Sequence, residues 1–404
     1  MKRKLRSLAT MAACAFAGGA QAQISDGIVK IGVLNDMSGL YSDITGPGSV
    51  TAARMAVEDY IKATKSTLKV EIVSADHQNK PDVGSNVARQ WFDTDKVDMI
   101  ADVPTSSVGL AVAKIARDKG KLHVNSGSAT ADLSGKACNA NTIHWAYDTW
   151  MLANGTGKAI VKSGGDTWFF LTADYAFGQA LERDTEAVVL KNGGKVVGKV
   201  RTPFPTQDFS SFLLQAQASK AKIIGLANAG GDTTNSIKQA AEFGITKGGQ
   251  NLAGLLVFLP DVHSLGLNIA QGLKLTETFY WDLNDNTRAF TKRFAAAQGG
   301  KYPSMVQAGV YSSVIHYLKA VDAAKTDDGT KVAAKMKELP TDDPLFGKGS
   351  VRADGRKIHP AYLFEVKKPA ESKGPYDYYK LISTIPANEA FRPLAESDCP
   401  LVKK

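Results

Sequence analysis

Ser106 and Ser107 stand ahead of a helix-like run at residues 107–119 and shortly after a β-branched stretch at residues 97–101. Unpaired amides at a helix N-terminus attract anions, and a serine hydroxyl beside them can hold a carboxylate. Ser106 could equally serve only as the helix cap. Aromatic residues gather on other loops at the ends of strand candidates: Tyr41, Tyr147, Trp150, Tyr175, Phe177, Tyr280 and Trp281. Such rings enclose or stack on an apolar body while tyrosine hydroxyls orient it; the same rings could instead fill a core. Loops rich in Ser, Thr, Gly and aromatics suit reversible binding of a small organic anion better than bond-making chemistry.

Enzyme signatures are missing. No G-x-S-x-G, H-E-x-x-H or G-x-x-x-x-G-K-S/T occurs. His77, His123, His144, His263, His316 and His359 have no spacing that sets two on one helical face, so no metal and no cofactor are expected. Gly46-Pro47-Gly48 lies well past the first strand candidate and lacks a full G-x-G-x-x-G, which argues against a dinucleotide site. An exported enzyme without a recognised motif is the remoter alternative.

The elements that position these residues alternate. Strand candidates are residues 29–34, 68–74, 97–101, 122–125, 168–172, 195–201, 223–227, 255–258 and 273–279. Helix candidates at 49–63, 83–92, 107–119, 151–163, 177–192, 209–219 and 233–243 lie between them. Val50, Ala53, Val57, Tyr60 and Ile61 make an apolar stripe on the first helix. Repeated strand–helix units predict α/β architecture around parallel sheets. After residue 273 the order changes: helices at 286–298, 304–325 and 331–339, a hairpin of 349–353 and 357–366 about Asp354-Gly355, and a last strand at 378–385.

Lys2, Arg3, Lys4 and Arg6 precede an apolar stretch at residues 8–19, and Ala20-Gln21-Ala22 supplies small residues for cleavage. Residues 1–22 are therefore expected to be a signal peptide that sends the chain to the periplasm; a lipoprotein box ending at Cys14 is the rival. The formal charge of +9 falls to +5 without the four basic residues of this leader, 45 basic side chains against 40 acidic ones. The basic residues are scattered, so nucleic acid is not an expected partner. Two cysteines remain, Cys138 and Cys399, in a compartment where disulfides persist. Their pairing is expected to tie down the C-terminal tail; two separate buried thiols are the alternative. About 380 residues exceed what one core usually supports, so two lobes are expected.

Val29-Lys30-Ile31-Gly32-Val33-Leu34, then Met37-Ser38-Gly39 and residues 48–60, closely resemble the leucine/isoleucine/valine-binding family of type I periplasmic solute-binding proteins. The likeness returns at residues 103–116, at Gly127-Ser128-Ala129-Thr130, at Asp174-Tyr175-Ala176-Phe177-Gly178 and at Asn228-Ala229-Gly230-Gly231-Asp232, in the family's order over nearly the whole mature chain. The resemblance implies two doubly wound lobes joined by three crossover segments, with the ligand in the cleft between them. Mapped onto this chain, the N-lobe takes residues 27–147 plus 281–340 and the C-lobe residues 148–280 plus 341–404. It also implies delivery of a small-molecule solute to the permease subunits of an ABC importer, by a protein expected to be a monomer and not an enzyme.

Family members hold a carboxylate against a serine after one N-lobe strand, the place of Ser106 here, and residues 127–130 look like the second carboxylate loop. The implied ligand set is Tyr41, Ser106, Gly127, Ser128, Ala129, Tyr147, Tyr175, Phe177, Asn228, Asp232 and Trp281. One departure bears on the solute. Amino-acid binders of the family hold the ammonium with an acid after a C-lobe strand, and residues 255–260 here read Leu-Leu-Val-Phe-Leu-Pro. Asp232 or Asp261 could substitute; the simpler expectation is a carboxylic acid without an ammonium group, possible aromatic bodies included, with branched-chain amino acids as the alternative.

Overall fold

The computed structural model describes residues 24–403; the leader expected at residues 1–22 lies outside them. None of the described helices is long and apolar enough to cross a membrane.

The chain opens with β1 (Val29–Asn35), α1 (Gly46–Thr64), β2 (Val70–Asp76), α2 (Pro81–Asp93), β3 (Met99–Asp102), α3 (Ser106–Asp118), β4 (Leu122–Asn125) and β5 (Thr142–His144). These strands form one parallel sheet in the order β2-β1-β3-β4-β5. Successive side chains on a strand point to opposite faces. Ile31, Val33, Met99 and Ala101 therefore join the cluster on the α1 side, while Leu34 and Ile100 join Val108, Val112, Trp91 and Phe92 on the α2–α3 side. Both faces are covered, as a parallel sheet requires.

A second lobe follows: α4 (Thr149–Leu152), α5 (Lys158–Lys162), β6 (Thr167–Ala173), α6 (Ala176–Lys191), β7 (Lys195–Thr202), α7 (Ser210–Ala218), β8 (Ile223–Ala227), α8 (Gly231–Glu242), β9 (Asn251–Gly254), α9 (Leu259–Leu265), α10 (Leu267–Ala270) and β10 (Lys274–Glu277). Its parallel sheet runs β7-β6-β8-β9. The strand expected at residues 255–258 is instead the loop between β9 and α9. All four of its apolar side chains are buried, which imitates a core strand in sequence.

Helices α11 (Asp285–Ala297), α12 (Met305–Ala324) and α13 (Gly329–Glu338) return to the first lobe, where α12 packs along α1. The strands β11 (Thr341–Asp343), β12 (Gly347–Val351) and β13 (Lys357–Ile358) form a small antiparallel sheet beside α13, and Arg356 bridges to His144 at the end of β5. Then β14 (Ala361–Val366) and β15 (Tyr379–Ile385) pair with β10 in the second lobe. The single strand expected at residues 357–366 is thus two strands in different sheets. They separate at His359-Pro360, where proline offers no amide to a ladder.

Cys138 and Cys399 form a disulfide with their Cα atoms 5.6 Å apart, which anchors the tail to the first lobe.

Candidate functional site

The two sheets point their C-terminal strand ends at each other, and the loops there meet around a narrow cleft with about 10 Å³ of free space. The first lobe contributes Tyr41, Ile44, Pro104, Gly127, Ala129 and Val306; the crossover after β5 contributes Tyr147; the second lobe contributes Tyr175, Phe177, Ala229, Leu256 and Phe258. The free space has room for about one water, so the walls must part to admit a solute.

Each wall is built locally. Asp36 accepts from the amides of Gly39 at 2.7 Å and Tyr41 at 2.9 Å and from Asn79 Nδ2 at 2.6 Å, which folds residues 36–41 into a turn presenting the Tyr41 ring. Asp102 and Val103 occupy the left-handed region with φ of 76° and 60°, a strained setting for a β-branched residue. The Val103 amide donates to Leu34 O at 2.9 Å and its carbonyl accepts from the Ser128 hydroxyl. This fixed kink turns Pro104 into the cavity wall. Arg356, fully buried, donates to the carbonyls of Trp145 and Tyr147 at 2.9 Å each, and the Tyr147 hydroxyl donates to Gly127 O at 2.7 Å.

The lobes touch directly at the cleft. The hydroxyls of Tyr41 and Tyr175 lie 2.5 Å apart, and Phe204 stacks on Tyr175 at 4.1 Å between centroids. Gly230 has φ 57°, and a Cβ there would stand 2.6 Å from Leu40 O, so glycine is required where the second lobe meets residue 40. Burial holds the Tyr41 and Tyr175 phenols well above their ordinary pKa, so both stay neutral. Two neutral phenols sharing one hydrogen bond leave one O–H free for another acceptor.

Six of the residues singled out in the sequence meet at the cavity: Tyr41, Gly127, Ala129, Tyr147, Tyr175 and Phe177. Others stand just behind it. Ser106 is buried at the start of α3, and its hydroxyl accepts from the Thr130 amide at 3.2 Å, tying the two polar loops together. The Ser128 hydroxyl is engaged with Val103. Asn228 bonds to Thr233 at 2.8 Å and Ser236 at 3.2 Å, bracing the start of α8. Asp232 Oδ1 accepts from the Thr206 amide at 3.1 Å while its Oδ2 is buried without a partner. Burial pushes this carboxyl up to about 7. Asp261 is likewise pushed up to about 7 by burial, and it accepts from the Phe258 amide at 2.9 Å.

Trp281 stands apart: its indole donates to Tyr376 O at 2.7 Å and packs against Tyr302. Tyr280 donates to the same carbonyl, and Trp150 lies half-buried outside the cavity. Ile44, Pro104, Ala229, Leu256, Phe258 and Val306 were not anticipated. Leu256 and Phe258 carried a signal, as apolar residues in the very loop that lacks an acid; Val306 carried none, because α12 returns from far along the chain.

Polar donors suited to an anion cluster on the first lobe. Thr105 leaves the first turn of α3 without a side-chain cap, and the Ala129 amide has no hydrogen-bond partner among the described residues. No cluster of His, Cys, Asp and Glu able to hold a metal occurs among the described residues.

The family model described as periplasmic binding protein matches residues 28–374. A periplasmic binding protein from Burkholderia mallei is 51% identical, covers 94% of this chain and 100% of its own, and superposes with a TM-score of 0.91. A branched chain amino acid ABC transporter periplasmic ligand-binding protein from Burkholderia xenovorans is 41% identical with a TM-score of 0.82, covering 93% and 100%. A solute-binding protein of an ABC transporter from R. palustris, solved in complex with benzoate, shares the fold at 21% identity with a TM-score of 0.79, covering 93% and 100%. The chain belongs to the periplasmic binding protein family, in its type I leucine/isoleucine/valine-binding branch, the solute-binding components of ABC transporters.

Proposed function

We propose that the chain captures a small carboxylic acid with an apolar or aromatic body and delivers it to permease subunits in the inner membrane. It acts as a monomer exported by a signal at residues 1–22, with a first lobe of residues 27–147 plus 281–340 and a second of 148–280 plus 341–404. Tyr41, Gly127, Ala129, Tyr147, Tyr175 and Phe177 surround the solute, while Ser106, Ser128, Asn228 and Asp232 brace the loops that hold it.

One observation carries this reading: none of the residues lining the cavity is charged. Amides of the first lobe can take a carboxylate, and nothing on the wall answers an ammonium. Burying an unpaired ammonium costs several kcal/mol in effective terms, which lowers affinity by orders of magnitude. The benzoate held by the R. palustris protein suits such a cleft.

Calorimetric titration with leucine, its 2-keto acid and benzoate decides between solute classes. Binding of an acid with little response to leucine is expected. The second reading, a branched-chain amino acid binder, draws on the unpartnered Asp232 Oδ2 as an ammonium acceptor. Tight leucine binding that Asp232→Asn abolishes, with no response to either acid, would establish it instead.

A further inference from the structure

Asp184 sits two turns along α6, 5% exposed, outside the cavity wall. Its Oδ2 accepts from the Thr149 hydroxyl at 2.6 Å, and Thr149 Oγ1 accepts in turn from the Ala131 amide at 3.1 Å. The Thr149 amide donates to Ala129 O at 2.8 Å, so this relay ends on a residue of the cavity wall. The other carboxylate oxygen accepts from Arg183 Nε at 3.0 Å, and Arg183 Nη1 reaches Asp132 of the first lobe at 3.1 Å. Lys136 also pairs with Asp132, at 3.2 Å.

The C-terminal tail arrives at the same oxygen. Arg392 Nη2 lies 3.6 Å from Asp184 Oδ1, and its Nη1 lies 3.6 Å from Asp398. Arg352 donates to the Arg392 carbonyl at 2.7 Å, the Phe391 ring lies 4.1 Å under the Arg356 guanidinium, and Asn154 donates to Glu389 O at 3.0 Å. Cys399, a few residues on, is bonded to Cys138 of the first lobe. The tail is therefore fastened covalently to one lobe and by charge to the other. A half-exposed pair such as Arg183–Asp132 is worth little alone. A buried carboxylate that needs all its partners couples them, because losing one leaves charge unanswered in a poor solvent for it.

We propose that Asp184 is a positioning residue for solute capture: it latches the cavity loop at residues 127–132 and the disulfide-anchored tail onto α6 when the lobes close. This rests on the solute-binding reading above and adds a group that touches no solute. The latch holds the closed form from outside the cleft, so it slows solute release.

Nitroxides at Lys62→Cys in α1 and Gln215→Cys in α7, both exposed, report the interlobe distance by pulsed electron resonance in the solute-free protein and with benzoate. Asp184→Asn keeps an acceptor for Thr149 and removes the charge; Arg392→Gln and the pair Cys138→Ser with Cys399→Ser detach the tail from the surface side, and carry the test if Asp184→Asn fails to fold. In each, longer distances without solute and about tenfold faster benzoate release are expected, with Asp184→Glu restoring part of both. Distances and release rates equal to wild type in all three variants would overturn the latch. Wild-type distances that ignore benzoate and the keto acid would instead refute the acid-binding reading, while the solute-free comparison still judges the latch.

Discussion

Asp232 is a buried carboxyl beside the cleft whose charge depends on pH near neutrality. Burial raises its carboxyl from the ordinary 3.8 to about 7, partly offset by the Thr206 amide. Between those values the folded chain keeps a proton that the unfolded chain has released. The stabilising effect is therefore complete at acid pH and is lost as pH rises through about 7. Asp232→Asn cannot ionise and still accepts from Thr206, so the melting midpoint of the variant relative to wild type should climb between pH 5 and 7 and level off above. Differential scanning fluorimetry across that range checks it; a constant difference would mean the carboxylate stays charged. The same residue shows where sequence reading stops. Tyr41 and Phe177 were legible because large rings on strand-end loops have few places to go. Ser106 and Ser128 were legible as anion-type residues, yet the Ser128 hydroxyl donates to Val103 O, and the Ser106 hydroxyl accepts from the Thr130 amide and keeps its own proton. Such pairings between loops distant in sequence have no local signature.

Helix α12 links element to site. Its cap, Ser304, accepts from the amides of Val306 and Gln307 at 3.2 Å each and donates to Ile44 O at 2.6 Å, while Gln307 Oε1 answers the Ser304 amide. Ser304→Ala should cost about 1–2 kcal/mol, read as a lower urea midpoint at unchanged m-value. Because Ile44 and Val306 both line the cavity, solute affinity should fall with it. Helices with one covered face followed their periodicity, and the strands β4 and β8, buried at every position, coincide with the apolar runs at 122–125 and 223–227. The failures have a shared cause. Residues 255–258 are apolar because they serve the cavity and the core at once, so a loop reads as a buried strand. Residues 357–366 read as one strand because each half is β-favouring, while the change of sheet at His359-Pro360 is a tertiary event.

Across the whole molecule, one apolar cluster runs from the first-lobe core through Tyr41, Ala129, Tyr147, Phe177, Leu256 and Phe258 into the second lobe. Length and strand–helix alternation foretold two lobes, and the two remaining cysteines foretold the bridge; where the tail lies after Cys399 is tethered was not legible, since its partners are spread over both lobes. The continuity of the cluster sets the energetics of closure. Parting the lobes wets these rings and breaks the Tyr41–Tyr175 contact, so opening is opposed by apolar hydration. Solute that bridges both walls adds a differential interaction with the closed form and shifts the population toward it. Binding should therefore compact the chain: the radius of gyration from X-ray scattering should fall on saturation with a bound acid, and the heat capacity of binding should be negative as apolar wall is buried. A ligand proven by calorimetry that left the scattering profile unchanged would mean the lobes are already closed without it. The cleft would then take up solute by local movement of loops such as residues 36–45 rather than by hinge motion.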